Sequence, residues 1–170
     1  PEYGERGQVV FQPTDRGTAV GVLFGLMPVL AADPEATVLL SPSDHGVGNA
    51  TTFRRGVTEA IDCVQTVGGV VLLAVEPSAA RDDYGWITLS PERGPGGFRK
   101  VAGFVEKPSA AVARRLLEGG AVWNTMVLVA QVKDLVALIA MHLSSIATMF
   151  LRSVSTFDLA RPAFFPELYS

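Results

Sequence analysis

The sequence predicts an α/β fold: a mostly parallel sheet with helices on both faces and a small antiparallel excursion. Three observations carry that prediction. Short, continuous apolar runs at residues 37–40 and 69–75 mark strands covered on both sides, because a half-exposed strand would alternate apolar with polar residues. They are interleaved with longer segments whose apolar positions recur at three and four residues, and strand–helix alternation builds parallel sheets. Hydrophobic residues make up 48% of the chain against 18% charged, enough to fill a core and too apolar for a disordered chain.

The elements follow in order. Residues 8–11 read as a short β run that stops at Pro13. Thr14, Asp15, Arg16 and Gly17 supply turn chemistry ahead of an apolar segment at 18–32, predicted as a helix capped near Asp15 to Thr18 and bent or restarted by Pro28. Residues 37–40 are the second strand. A helix over 50–66 carries Phe53, Val57, Ala60, Ile61 and Val64 on one face, and the run at 69–75, bounded by Gly and Pro, is too short for anything but a third strand. The pattern then changes. β character at 85–89 and 98–105, around a Pro/Gly-rich turn at 91–97, predicts the antiparallel excursion. Ser109 opens a helix that runs to about Glu118 and is closed by Gly119 and Gly120. Residues 121–129 become strand-like toward their end, 132–150 are predicted as a single helix, and the tail, with Pro162 and Pro166 among aromatics, as irregular.

A length of 170 residues is that of one typical domain, so a single domain over 1–170 is expected. The net charge of −3 and the absence of any Lys/Arg block exclude the broad basic surface that nucleic-acid backbones require, while leaving room for a free nucleotide held by a few local donors. The longest apolar stretch, 127–146, is interrupted by Gln131, Lys133, Asp134 and His142 and is too polar for a membrane span. The single cysteine, Cys63, has no partner for an intrachain disulfide, and no signal segment opens the sequence, so a cytoplasmic location is expected. Self-association into a homo-oligomer is compatible with all of this.

Four short stretches concentrate the chemistry. In VLLSPSDHG, at 38–46, a strand runs into a Ser-Pro turn carrying Asp44 and His45. Ligands of α/β sheets bind outside the carboxyl ends of strands, and a carboxylate there can share a magnesium ion with phosphate oxygens, although a turn Asp also caps its own backbone. Glu106 and Lys107, ahead of Pro108, can read sugar hydroxyls and neutralise a phosphate, or form a solvated ion pair. Asn124 and Thr125 offer short donors and acceptors, or a turn that satisfies itself. Tyr84-Gly85-Trp86 sets a glycine between aromatics, where a ring-shaped ligand could approach the backbone.

Together these stretches resemble the sugar-phosphate nucleotidyltransferases, most closely the mannose-1-phosphate guanylyltransferases. The matching pieces are QPTDRGTA at 12–19, LSPSDHGV at 40–47, YGWI at 84–87, FVEKPS at 104–109 and WNT at 123–125. The resemblance implies a Rossmann-like nucleotidyltransferase core and transfer of a nucleotidyl group from a nucleoside triphosphate, GTP, to mannose 1-phosphate with release of pyrophosphate. It implies that Asp44 and Lys107 are catalytic, that Asp44 holds Mg2+, and that Gln12, Pro13, Arg16, Gly17, Thr18, Ser43 and Asp44 bind the nucleotide. Tyr84, Gly85, Glu106, Lys107, Asn124 and Thr125 would bind the sugar phosphate. The carboxylate of Asp44, the ammonium of Lys107 and the amide of Asn124 are then expected to converge on a single hollow. His45 is read as a loop-holding residue and His142 as packing.

The family pattern also contains an N-terminal strand with a Gly-rich loop bearing Arg and Lys, and a second metal-binding Asp. Neither has a counterpart between Pro1 and Ser170: Asp158 lacks the flanking pattern, and Met126 stands where a glycine usually follows the Asn-Thr pair. The expectation is an internal portion of a longer enzyme, with turnover confined to the longer chain. Other readings are a glucose-1-phosphate uridylyl- or thymidylyltransferase and a catalytically inactive, nucleotide-sugar-binding regulatory module. A phosphatase using Asp44 as nucleophile is disfavoured because Gly46 stands where a general acid would be wanted.

Overall fold

The structure, a computed structural model, describes Val10, Gln12 and residues 14–153. The predicted run at 8–11, apart from Val10, and the tail with Asp158 lie outside the described residues, as does Pro13. The chain divides into two compact units, one drawn from residues 1–36 and 132–170, the other from Thr37–Gln131.

Among its described residues the first unit packs three helices. Helix α1 (Thr18–Ala32) has the predicted bounds, and it continues through Pro28 as one element. Its start is set by Asp15, whose Oδ1 accepts the N–H of Gly17 at 2.8 Å, and by Gly17 itself, at φ 87°. Leu23, Phe24 and Met27 of α1 are buried.

The C-terminal segment predicted as one helix is two in the structure, α4 (Val132–His142) and α5 (Ser144–Ser153). The two helices touch each other and both touch α1, which a straight helix could not do. No Pro or Gly marks the break. Two serines follow it, and within α5 the Thr148 hydroxyl donates back to the Ser144 carbonyl at 2.7 Å. The fold-back seats Phe150 edge-on against Phe24, with ring centroids 5.0 Å apart. Lys133 pairs with Glu35, which raises the lysine pKa through that hydrogen bond first.

The second unit is a five-stranded sheet with two helices. Its elements are β1 (Thr37–Leu40), α2 (Ala50–Val67), β2 (Val70–Val75), β3 (Trp86–Arg93), β4 (Arg99–Val105), α3 (Ala110–Glu118) and β5 (Val122–Gln131). Every strand pairing is antiparallel, which corrects the mostly parallel, Rossmann-like sheet expected from the sequence. The reason lies in β5. Strand β2 runs along one edge of it, from Trp123 to Ala130; the other edge is shared end to end by β3, at Val122 and Trp123, and β1, at Leu128 to Gln131. Because β1 and β2 are each antiparallel to β5, they point the same way, as a strand–helix–strand unit should. Strand β5 lies between them, so the parallel ladder never forms. Strand–helix alternation set direction but could not reveal the intervening strand.

The predicted excursion is present as the β3–β4 hairpin, turned by Gly96 and Gly97, both at positive φ. Helix α2 begins at Asn49, whose Oδ1 accepts the Thr52 N–H at 3.0 Å, and lays Ala60 and Val64 on Val129 with Ile61, Val71 and Leu73 around them. A second cluster joins Trp86, Ala113 and Ala121 to Leu116, Leu117 and Trp123. The Trp86 indole is fully buried and its N–H donates to the Arg81 carbonyl at 2.8 Å, so burial stabilises the unit by on the order of 3 kcal/mol with no unpaired donor left behind.

Candidate functional site

A cleft of about 690 Å³ opens in the sheet unit where β1 ends. Its rim is the loop from Asp44 to Asn49, its wall the first turns of α2 at Thr52, Phe53 and Gly56, and its floor Leu73, Ala74, Val75, Thr125 and Val127 of β2 and β5. The sequence explains the shape. Gly46 and Gly48 leave the rim without side-chain bulk, and Gly56 does the same one helical turn into the wall. Asp44 stands at the mouth with 83% of its side chain exposed, and its Oδ1 is 3.9 Å from Nε2 of His45. Ser43 is exposed beside it in the same turn.

The donor set at Asp44 is one carboxylate with open space around it. Among the described residues no three His, Cys, Asp or Glu side chains gather into a metal-holding group. A lone accessible carboxylate suits magnesium, which takes one or two carboxylates together with a ligand's phosphates and keeps waters in its other positions.

A second arrangement lies along β5. The N–H of Asn124 donates to the Gly85 carbonyl at 2.8 Å, and a Cβ placed on Gly85 would fall 2.7 Å from Oε2 of Glu106, 2.9 Å from Cζ of Phe104 and 3.5 Å from Cβ of Asn124. Gly85, Glu106 and Asn124 are thus brought together, and the glycine leaves room for the side-chain ends that approach its Cα. Tyr84 packs edge-on against Trp123, centroids 4.9 Å apart, and its ring lies 4.9 Å from the Arg81 guanidinium. Arg81 grips Asp83 with two parallel hydrogen bonds, the Nε–Oδ1 one at 2.8 Å. That grip holds the Asp83 carboxyl below its ordinary range, with the charges of Arg81 and then Lys107 adding to it. Lys107 is exposed, and its backbone is left-handed, at φ 43°.

The two arrangements meet at a bulge in β5. Leu73 of β2 pairs with Val127 and Ala74 with Asn124, so Thr125 and Met126 are extra residues on β5. Side chains hold the bulge. The Thr125 hydroxyl donates to the Leu73 carbonyl and accepts the Val127 N–H at 3.2 Å, while Asn124 Oδ1 accepts the Met126 N–H at 3.1 Å. Met126 takes φ 59°, a conformation that favours glycine.

The expected single hollow therefore divides. Asp44 and Thr125 line the cleft; Lys107 and Asn124 do not, and Asn124 lies instead with Gly85 and Glu106. The reason is that consecutive strand residues face opposite sides of the sheet, which gives 124 and 125 different surroundings. Of the residues expected at the nucleotide, Gln12, Arg16, Gly17 and Thr18 belong to the helical unit. There the Gln12 side chain lies against α1, its Oε1 3.2 Å from where a Cβ on Gly21 would stand, and its buried Nε2 has no hydrogen-bond partner in the described structure. A separate hollow of about 280 Å³ beside α2, lined by Cys63 and Phe98 among others, contains none of the expected residues.

Sequence reasoning passes over several residues that shape these surroundings. Asn49 could have been found as a helix cap eleven residues before Ala60, and the Arg-Asp-Asp run before Tyr84 as a local ion pair. The spacing of Phe53 marks a packing position of its helix, and nothing in it separates that role from lining a cleft.

Comparison with known proteins adds a family. The family described as nucleotidyl transferase matches residues 3–158. The alginate biosynthesis protein AlgA of Pseudomonas aeruginosa is 30% identical over 119 residues, 69% of this chain and 24% of that protein. A mannose-1-phosphate guanylyltransferase of Sinorhizobium fredii is 29% identical over 169 residues, 95% of this chain and 32% of its own length. Among solved structures, a Thermus thermophilus protein described as mannose-1-phosphate geranyltransferase superposes with a TM-score of 0.79 at 31% identity, over 88% of this chain and 44% of its own. The chain thus spans about a quarter to a third of the curated relatives it matches. Among the described residues no helix is long and apolar enough to cross a membrane.

Proposed function

The chain belongs to the nucleotidyl transferase family, and from that premise we propose that the protein transfers a nucleotidyl group from GTP to mannose 1-phosphate, giving a nucleotide sugar and pyrophosphate. The observation that carries the reading is that β5 sets Thr125 in the Asp44 cleft and Asn124, the next residue back, against Gly85 and Glu106. A site that joins two phosphorylated substrates needs two adjoining surfaces, one able to manage phosphate charge and one rich in short polar groups. The relatives named for mannose 1-phosphate support the choice of sugar.

In this reading a phosphate oxygen of the sugar 1-phosphate attacks the α-phosphorus in line. The new P–O bond forms as the bond to the bridging oxygen of the leaving pyrophosphate breaks. No side-chain nucleophile is required, so the barrier falls through positioning and charge stabilisation. Asp44 and Lys107 are the catalytic residues. Asp44 would hold magnesium, which when bound neutralises phosphate charge. Lys107 meets the sugar phosphate as a point charge, Glu106 and Asn124 accept and donate to sugar hydroxyls, and Gly85 lets them close on the ring. Ser43, beside Asp44 in the sheet unit, would meet the nucleotide; in the helical unit, the orphaned amide of Gln12, ahead of the Arg16-Gly17-Thr18 turn, is a donor suited to a base carbonyl. A cytoplasmic enzyme that draws on soluble nucleotide pools fits this chemistry.

The test is a matrix of nucleoside triphosphates against sugar 1-phosphates, using the full-length protein with magnesium and reading both pyrophosphate and nucleotide sugar. GDP-mannose as the preferred product supports the proposal. Preference for UTP or dTTP with glucose 1-phosphate would replace both substrates, and binding of nucleotide sugars with no product from any pair would leave a regulatory module.

A further inference from the structure

Asn124 is held at both ends of its amide by one residue. Its Oδ1 accepts the Met126 N–H at 3.1 Å, and its Nδ2 donates to Met126 Sδ, also at 3.1 Å. The first contact fixes the assignment of the second, because an oxygen is required opposite an N–H and the amide nitrogen must then face the sulfur. The N–H contact is set by the peptide that precedes Met126, and the turn to φ 59° is what brings its side chain, and so its sulfur, back over Asn124. A non-glycine residue in the left-handed region is unfavourable and persists only where its surroundings enforce it, and methionine, unbranched and flexible, is better able than a β-branched residue to sit there.

We propose that Met126 is a positioning residue for substrate recognition: through its N–H and its thioether it sets the rotamer of Asn124 and leaves one lone pair of Oδ1 and one N–H of Nδ2 aimed at a sugar hydroxyl. The assignment of Asn124 to the sugar rests on the function proposed above; the hold of Met126 on Asn124 does not. Met126 remains 45% exposed, so its methyl also presents an apolar edge beside the amide, against which the carbon face of a pyranose can lie. A glycine at this position would adopt the backbone freely and keep the N–H contact while deleting the thioether. Leucine would keep much of the bulk and delete only the acceptor.

The experiment uses the full-length protein with Met126→Gly and Met126→Leu, and has two arms. In the first, the Asn124 side-chain amide is followed by 15N NMR. Both variants are expected to shift its proton pair and speed rotation about the Cα–Cβ bond; signals unmoved in both would overturn the hold itself. In the second, mannose 1-phosphate and glucose 1-phosphate are titrated by calorimetry, and kinetics are run with the matched nucleotide. The variants are expected to raise the Kd and KM for the sugar phosphate by about tenfold, the effect of losing one ordering hydrogen bond, with a smaller change in kcat and none in the nucleotide KM. Altered NMR signals with unchanged sugar affinity would overturn the recognition role. If the unaltered protein binds neither sugar phosphate, the functional reading and with it the recognition role fall, while the NMR arm still decides whether Met126 holds Asn124.

Discussion

The backbone N–H of Asn124 donates to the carbonyl of Gly85 at 2.8 Å, stitching β5 to the segment that leads into β3. The stitch draws the Gly85 Cα so near Glu106 and Phe104 that a methyl group there would overlap both. The atoms it would meet are the carboxylate tip of an exposed glutamate and the edge of a half-exposed ring, which can move aside. Gly85→Ala should therefore cost only about 1 kcal/mol in urea denaturation, at the low end for overpacking, while weakening sugar-phosphate binding by tenfold or more. A loss of affinity no greater than the loss of stability would argue against Gly85 as part of the sugar surface.

The bulge depends on one hydroxyl. Thr125 both donates to the Leu73 carbonyl and accepts from the Val127 N–H, so Thr125→Val, equal in shape, deletes both of these hydrogen bonds. The expected destabilisation is about 2 kcal/mol, with Thr125→Ser near the unaltered protein. Equal denaturation midpoints for the valine and serine variants would show that the hydroxyl does not hold the bulge.

Acid should loosen the segment ahead of β3. The folded-state pKa of Asp83 lies below its ordinary value of 3.8, first because of the Arg81 hydrogen bonds. The unfolded chain therefore binds more protons in that window. The stabilisation is complete above the ordinary value and disappears as pH falls through the depressed one. Comparing melting temperatures of the unaltered protein and Asp83→Asn, the difference seen at neutral pH should shrink toward zero as pH falls through the depressed pKa, and it should be reduced by salt because both side chains are half exposed. A difference that persists in strong acid would assign it to something other than the ion pair.

Much of the fold was legible because the strongest signals were local. The bounds of α1 and β1 follow from Asp15, Gly17 and the apolar run at 37–40, and the glycines around residue 96 announced a hairpin. What was not legible was long-range. Nothing in residues 122–131 says that they separate β1 from β2, so the sheet was expected parallel and is antiparallel. The helix break at Leu143 carries no Pro or Gly and is made by packing against α1. At the candidate site, the motifs at 40–47, 84–87, 104–109 and 123–125 all fall in the sheet unit. Their division into a cleft and an adjoining cluster follows the alternation of 124 and 125 along β5, and the bulge beside them pivots on Met126, a residue type that ordinarily signals nothing about backbone conformation.

The proposal turns on Asp44. Its side chain is exposed and, among the described residues, engaged only at 3.9 Å by His45, so replacing the carboxylate by an amide should leave the fold untouched. The decisive measurement is magnesium-dependent nucleotidyl transfer by the full-length protein and its Asp44→Asn variant, made alongside their melting temperatures. The account predicts a loss of two or more orders of magnitude in turnover, about 3 kcal/mol of transition-state stabilisation, at an unchanged melting temperature. Wild-type turnover in the Asp44→Asn variant would contradict it.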